Sequence, residues 1–346
     1  MKRKSEQEIM AAEIPEDIFT MDLETIEKEK EDYIERFKPK EYRTIKNFVV
    51  TKRVLLLYGQ AIAKLKSNEK WEEDYNQIYI KSIQGKEYKI RYINHSTFKL
   101  GEMYVTHQYI IYKVKGKYKK YYENYIQKTK HYSKPDRKVW KMVEYMLPNV
   151  EIHFEDVDGN FAIFVKKPCE MYPLREILEY FGNKLKPEYV ASILTRLYYF
   201  TCYMGLVEMT HNAITVDNLF FAPGKKVEEG NTYTVQDMRI VGVFGGWFFT
   251  TYLEEKVQGV PREIYEVMPE QYKKRGYSSF EVDELAIRKL AKELLGTEIE
   301  NMPEPFFNWV NNPKIAKDAY EEFCNWEKVI ISSFGKHRFV DIDVSI

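Results

Sequence analysis

The chain is 346 residues long and carries 53 Lys plus Arg against 53 Asp plus Glu, so no global charge directs it to nucleic acid or to an acidic membrane. Three widely spaced cysteines, Cys169, Cys202 and Cys324, suit neither a disulfide framework nor a zinc site and point to a reducing cytosol. The start MKRKSEQEIMAAE turns acidic too early for a signal peptide, and no apolar run approaches the ~20 residues of a membrane span, so a soluble, cytoplasmic protein is expected.

Residues 1–75 read as a charged, mostly helical extension. Asp22–Ile34 mixes Glu and Lys with sparse apolar residues and is expected to be a solvated face; Val54–Leu65 is a better amphipathic helix. From Gln77 to Lys120 the runs IYIKSI, YKIRYI, EMYVT and QYIIYKV are β-branched and aromatic, with Gly85, Asn94, Gly101 and Gly116 at expected turns. That pattern predicts one antiparallel sheet. Residues 136–147 predict a helix with Val139, Met142, Val143 and Met146 on one face, and VEIHFEDVDGNFAIFVKK a hairpin turning at Asp158-Gly159.

The remainder is mainly helical. After Leu174–Phe181 comes a long helix from about Pro187 to Val207, with Val190, Ile193, Leu194, Leu197, Phe200 and Met204 at spacings of three and four. Two strand-like runs, LFFA and RIVGVF, precede a helix over Glu281–Leu295 that ends at Gly296. The stretch Met302–Ile346 is aromatic enough to pack on helices, and its end, HRFVDIDVSI, reads as an extended strand.

Four short motifs then fall in order on these elements. His211-Asn212-Ala213-Ile214-Thr215-Val216-Asp217-Asn218 follows the long helix; Val243-Phe244-Gly245 ends the strand pair; Met268-Pro269-Glu270 comes next; and Asp283 opens DELAIRKLAKELLG. Together they resemble the protein-kinase catalytic loop H-R-D-L-x-x-x-N, D-F-G, A-P-E and the buried helix whose Asp anchors that loop. The resemblance covers roughly the last 260 residues and implies an α+β, bilobal kinase-like fold. Its divisions are a helical extension (1–75), an antiparallel-sheet N-lobe (76–168) and a helical C-lobe with a divergent tail (169–346). In the N-lobe, HSTFKLGEMYV keeps only Gly101 of a phosphate-covering glycine loop; Lys113 stands where the V-A-I-K lysine would be, and Glu144 is its candidate ion-pair partner.

The chemistry that the resemblance implies is absent at its own positions. The hydroxyl-orienting Asp falls on Ala213, the phosphate-contacting Lys on Thr215 and the metal-binding Asp on Val243; Asn218 alone is a poor site for a hard divalent cation. Asp217 and Asp237 are the carboxylates nearest to a rescue, each more simply read as a solvated loop acid. His211, Phe244, Gly245, Glu270 and Asp283 are residues that shape the fold, and the apolar Gly245-Gly246-Trp247-Phe248-Phe249 suggests a packed plug where an active kinase has a mobile loop.

Residues 113–141 hold eleven Lys or Arg against two acids, interleaved with aromatics, a composition that fits single-stranded nucleic acid or, more simply, a solvated loop. The six histidines show no metal-ligand spacing. The expectation is a catalytically inactive, kinase-like binding or scaffolding protein (a pseudokinase) with a protein partner and without a metal or cofactor. The alternatives are a divergent phosphotransferase holding ATP and magnesium through Lys113, Glu144 and Asn218, and a virion or nucleic-acid-associated component. The 28 Tyr, with abundant Lys, Ile and Asn, fit an AT-rich source such as a bacteriophage.

Overall fold

The computed structural model describes residues 4–12, 14–37, 45–68, 77–130, 132–134, 137–168, 171–222, 241–253, 255–312 and 314–335. The chain divides into two compact units, one of Met1–Thr97, Glu102–Ile111 and Lys167–Glu170, the other of Phe98–Gly101, Tyr112–Lys166 and Met171–Ile346.

The first unit begins with helices α1 (Glu6–Ala11), α2 (Ile26–Phe37) and α3 (Ile45–Asn68). Ser5 caps α1, exchanging bonds with Glu8 in a capping box. The charged run expected to be solvated instead buries Ile26, Lys30, Tyr33 and Phe37 along one face of α2. Of these, Ile26, Tyr33 and Phe37 pack with Ile9, Ile18, Phe19, Val50, Val54, Leu57 and Ala61 into a hydrophobic core. Sparse apolar residues suffice because they recur every three or four positions, and Lys30 lies inward with its ammonium over the Tyr58 ring. Strands β1 (Gln77–Lys81) and β2 (Glu87–Arg91) then form a separate two-stranded hairpin, with Ile80 and Ile90 inward and Tyr79 outward.

Strands β3 (Asn94–Phe98), β4 (Gly101–Val105), β5 (Tyr109–Val114), β6 (Asn149–Glu155) and β7 (Phe161–Lys166) make a five-stranded sheet in the order β3-β4-β5-β7-β6. Two sequence expectations are corrected here. Asn94 and Gly101, expected at turns, are strand residues, and the sheet is two sheets. Gly101 is required by close strand approach: a Cβ there would lie 1.9 Å from the Lys113 carbonyl oxygen. The turn joining β3 to β4 is only Lys99-Leu100, and Leu100 is buried.

A further helix, α4 (Lys119–Lys130), occupies the stretch read as a solvated loop. Helix α5 (Arg137–Val143) ends earlier than expected in a single 3-10 turn, Glu144–Met146, so Val143 and Met146 are buried while Met142 is 50% exposed. The β6–β7 hairpin turns as expected at Gly159, with φ +75°.

Strand β8 (Tyr172–Pro173) leads to α6 (Leu174–Tyr180) and the long α7 (Pro187–Leu206), which buries all six of its predicted core residues. Short strands β9 (Met209–Thr210), β10 (Leu219–Phe221), β11 (Val241–Val243) and β12 (Thr251–Tyr252) pair as β11-β10-β8 and β12-β9. Helices α8 (Arg262–Val267), α9 (Glu270–Arg275), α10 (Phe280–Leu295), α11 (Glu304–Asn311) and α12 (Ala319–Phe334) complete the second unit. The strand expected over 337–346, together with Cys169 and Asp237, lies outside the described residues.

Candidate functional site

The loop from His211 to Asn218 follows α7 and β9, and its shape is set from below by α10. Asp283, 2% exposed in the first turn of that helix, accepts the backbone N–H of His211 at 2.7 Å and of Asn212 at 2.8 Å. Burial pushes its carboxyl up to about 7, while the two N–H donors act in the opposite direction. Asn212 adopts φ +61°, a left-handed conformation that asparagine tolerates better than most side chains. Its side-chain amide donates to the Phe249 carbonyl and the Thr251 hydroxyl, both at 3.0 Å, and its oxygen accepts from Ser278.

His211 is completely buried, and Nε2 lies 3.1 Å from the Gly245 carbonyl. A carbonyl can only accept, so Nε2 carries the proton and Nδ1 is bare. Burial drives its pKa down to about 3, which makes it a neutral spacer between Phe200 and Trp247, each edge-on at 5.5 Å. It has no ionisable role at neutral pH.

The segment Val243–Thr250 closes over this loop. Every carbonyl along it is occupied. Trp247 Nε1 donates to Val243 at 2.6 Å, Tyr125 Oη to Phe244 at 2.8 Å and His211 to Gly245. Phe249 N–H donates to Gly246 at 2.9 Å. The Asn124 amide reaches the carbonyls of Trp247, Phe248 and Thr250 at 3.4, 3.1 and 2.9 Å, and Asn212 takes that of Phe249. Phe248 packs on Phe98, Tyr112 and Tyr125, with ring centroids 4.6–5.6 Å apart.

This closure reaches Ala213 and Val243, the positions to which the kinase resemblance assigns phosphoryl chemistry. Ala213 and Val243 are both 0% exposed. Gly246 has φ +78°, and a Cβ there would lie 2.7 Å from the Ala213 Cβ, so backbone already fills the space beside residue 213. Thr215 is buried and accepts the Asn218 amide, which also donates to the Ala213 carbonyl. Gly245 N–H donates to the Asn218 backbone carbonyl at 3.0 Å. Asn218 therefore braces the loop.

Helix α4 supplies the residues that sequence inspection missed. Tyr121, Asn124, Tyr125 and Lys128 recur at three- and four-residue spacing and form one buried face. Tyr121 Oη donates to the Gln258 carbonyl at 2.6 Å, and Lys128 pairs with Glu255 at 2.7 Å while lying 3.5 Å over the Tyr252 ring. Burial works against the Glu255 charge, but the bond and charge of Lys128 leave that carboxyl below its usual range. Half of this face is polar, so a search for apolar periodicity passes over it.

The Lys113–Glu144 pairing expected from the sequence is not the one made. Lys113 faces Asp156 at 3.6 Å, and Glu144 sits in the 3-10 turn after α5. Asp156 is 2% exposed and spans the β6–β7 turn, its Oδ1 accepting from Asp158 and Asn160 N–H. The lysine therefore neutralises a buried turn carboxylate. Asp217 is bound by the Arg175 guanidinium at 2.8 and 3.1 Å, and Arg175 also reaches Glu293 at 3.0 Å. Glu270, expected as a fold-shaping residue, is exposed and bonds to its neighbour Lys273 at 3.0 Å. Of the basic stretch 113–141, Lys115, Lys117, Lys119, Lys120 and Lys130 face solvent, but Tyr121 and Tyr125 are turned into the core.

Among the described residues, no group of three His, Cys, Asp or Glu could hold a metal ion, and no helix is long and apolar enough to cross a membrane. No family model and no curated protein matches the chain. The solved structure of vaccinia related kinase 3 is similar over 79% of this chain and 95% of that one, with 12% identity and a TM-score of 0.50. At that identity the likeness speaks for the fold alone, and the fold is kinase-like α+β: an antiparallel-sheet N-terminal region followed by a mainly helical C-terminal one.

Proposed function

We propose that this kinase-fold chain performs no phosphoryl transfer and serves as a binding or scaffolding module for a protein partner. The observation that carries the reading is the complete burial of Ala213, against Gly246, and of Val243. Transfer needs a carboxylate to orient the acceptor and acidic ligands for the metal ions, both open to substrate. Here an alanine and a valine stand at those two positions, and neither is reachable. Asn218 Nδ2 and Lys113 have work of their own, in the loop and with Asp156.

The side-chain bonds that hold Val243–Thr250 favour a fixed framework over a switching enzyme. They come from α4, from the His211–Asn212 pair and from the segment itself, so nothing in the set requires a nucleotide or a phosphorylated residue to order it. Incubation with γ-labelled ATP and magnesium or manganese, read by mass spectrometry for self-phosphorylation and by label transfer to generic acceptor proteins, tests this reading. No transfer above a heat-treated control is expected; metal-dependent transfer would overturn it.

A further inference from the structure

Glu284 follows the anchor Asp283 on α10 but has different surroundings. It is 0% exposed, and neither carboxylate oxygen has a donor in good hydrogen-bond geometry, the Tyr198 and Thr201 hydroxyls making only weak contacts. From α7 it is approached by the Tyr198 and Thr201 hydroxyls and the Cys202 thiol, from α12 by Glu322, and along its own helix by Asp283. The cation in this cluster is already committed: Arg288 pairs with Glu322 at 2.6 Å, donates to the Asn312 carbonyl and stacks 5.0 Å from the Trp309 ring. Glu322 in turn accepts the Ala316 N–H at 3.0 Å. A neutral carboxyl fits beside this arrangement; a carboxylate would face Glu322 with no counter-ion.

The same cluster fastens α12. Tyr198, next to Glu284, stacks on Trp326 at 5.5 Å, and Trp326 donates to the Thr195 hydroxyl at 2.9 Å and packs on Trp309 at 4.5 Å. Tyr199 meets Phe323 at 5.4 Å. Any adjustment around a charged Glu284 is therefore felt at Tyr198 and Glu322, two of the points that hold this helix.

We propose that Glu284 is a proton-operated latch on α12: protonated, it lets the helix close on α7 and α10, and loss of its proton to solvent sets two carboxylates against each other and loosens α12. Burial first, then the charge of Glu322, push the Glu284 carboxyl up to about 8, with Tyr198 and Thr201 pulling the other way. Of the neighbouring groups Asp283 alone titrates close to it, and that effect persists in a Glu284→Gln variant. Asp283 stands at about 7, Cys202 at about 12 and Tyr198 well above its ordinary range. The folded value lies above the unfolded one, so the contribution is whole in acid and is lost as pH rises through about 8.

Hydrogen exchange of Ala319–Phe334, corrected for intrinsic rate, should show protection falling about tenfold between pH 7 and pH 9 in the wild type. The change should be absent in Glu284→Gln, which keeps the shape and cannot ionise. Exchange of α4, remote from the cluster in sequence, serves as the internal reference. Unchanged wild-type protection of α12 over this range would overturn the latch without any variant, and so would an equal loss in Glu284→Gln.

Discussion

The carboxylate of Asp283 holds the backbone N–H of His211 and of Asn212 at 2.7 and 2.8 Å, one oxygen to each. This contact fixes the loop geometry independently of what residue 213 is, which explains how the loop keeps its form with an alanine at its chemical centre.

Asp283→Ala would leave both buried N–H groups without acceptors. Charge-assisted bonds of this kind contribute about 1.5–3 kcal/mol each, so a loss of about 3–6 kcal/mol is expected in urea unfolding. Asp283→Asn retains one acceptor and should cost about half as much.

Aspartate at positions 213 and 243 is expected to confer no activity. Ala213→Asp and Val243→Asp each place a carboxylate where the side chain is 0% exposed, at a cost of about 2–5 kcal/mol. The double variant should unfold at lower denaturant and show no label transfer from ATP in the presence of metal.

Asn124→Ala removes the donor shared by the Trp247, Phe248 and Thr250 carbonyls. The expected loss is about 2–3 kcal/mol, together with faster cleavage of the 247–255 segment in limited proteolysis. Tyr125→Phe, which forfeits only the bond to Phe244, should cost about 1 kcal/mol.

His211 works against stability in acid. Its folded pKa, about 3, lies below the ordinary imidazole value, so the folded state binds fewer protons than the unfolded one between those limits. Its contribution is therefore present at neutral pH and is lost as pH falls from about 6.5. The ring should remain neutral by NMR at pH 5; because Asp283 and Glu284 act in the opposite direction over this range, the His211 contribution is read as the urea midpoint of the wild type falling relative to that of His211→Gln between pH 6.5 and 5.

Much of the C-terminal framework is legible in the sequence because its physical signals are strong. The three- and four-residue spacing in α7, and Asp283 at the head of α10 after the His211 loop, each have one simple structural reading. The closure of the site was only half legible. The apolar run Gly245–Phe249 announces burial, but what holds its backbone does not come from an apolar pattern. Asn124, Lys128 and Asn212 are polar residues with buried functions, and composition alone reads them as loop and surface. The Lys113–Asp156 pair is illegible for a related reason: Asp156 lies inside a hairpin turn, where its carboxylate is shared between turn N–H groups and the lysine.

The central proposal is that a kinase-like fold is present here with Ala213 and Val243 buried at the positions where phosphoryl chemistry would stand. Thermal unfolding with and without millimolar ATP and magnesium or manganese tests it most directly, because a ligand that binds only the folded state must raise the midpoint. The structure predicts no shift with nucleotide and metal together beyond that with metal alone. A metal-dependent rise of several degrees on adding ATP would contradict it.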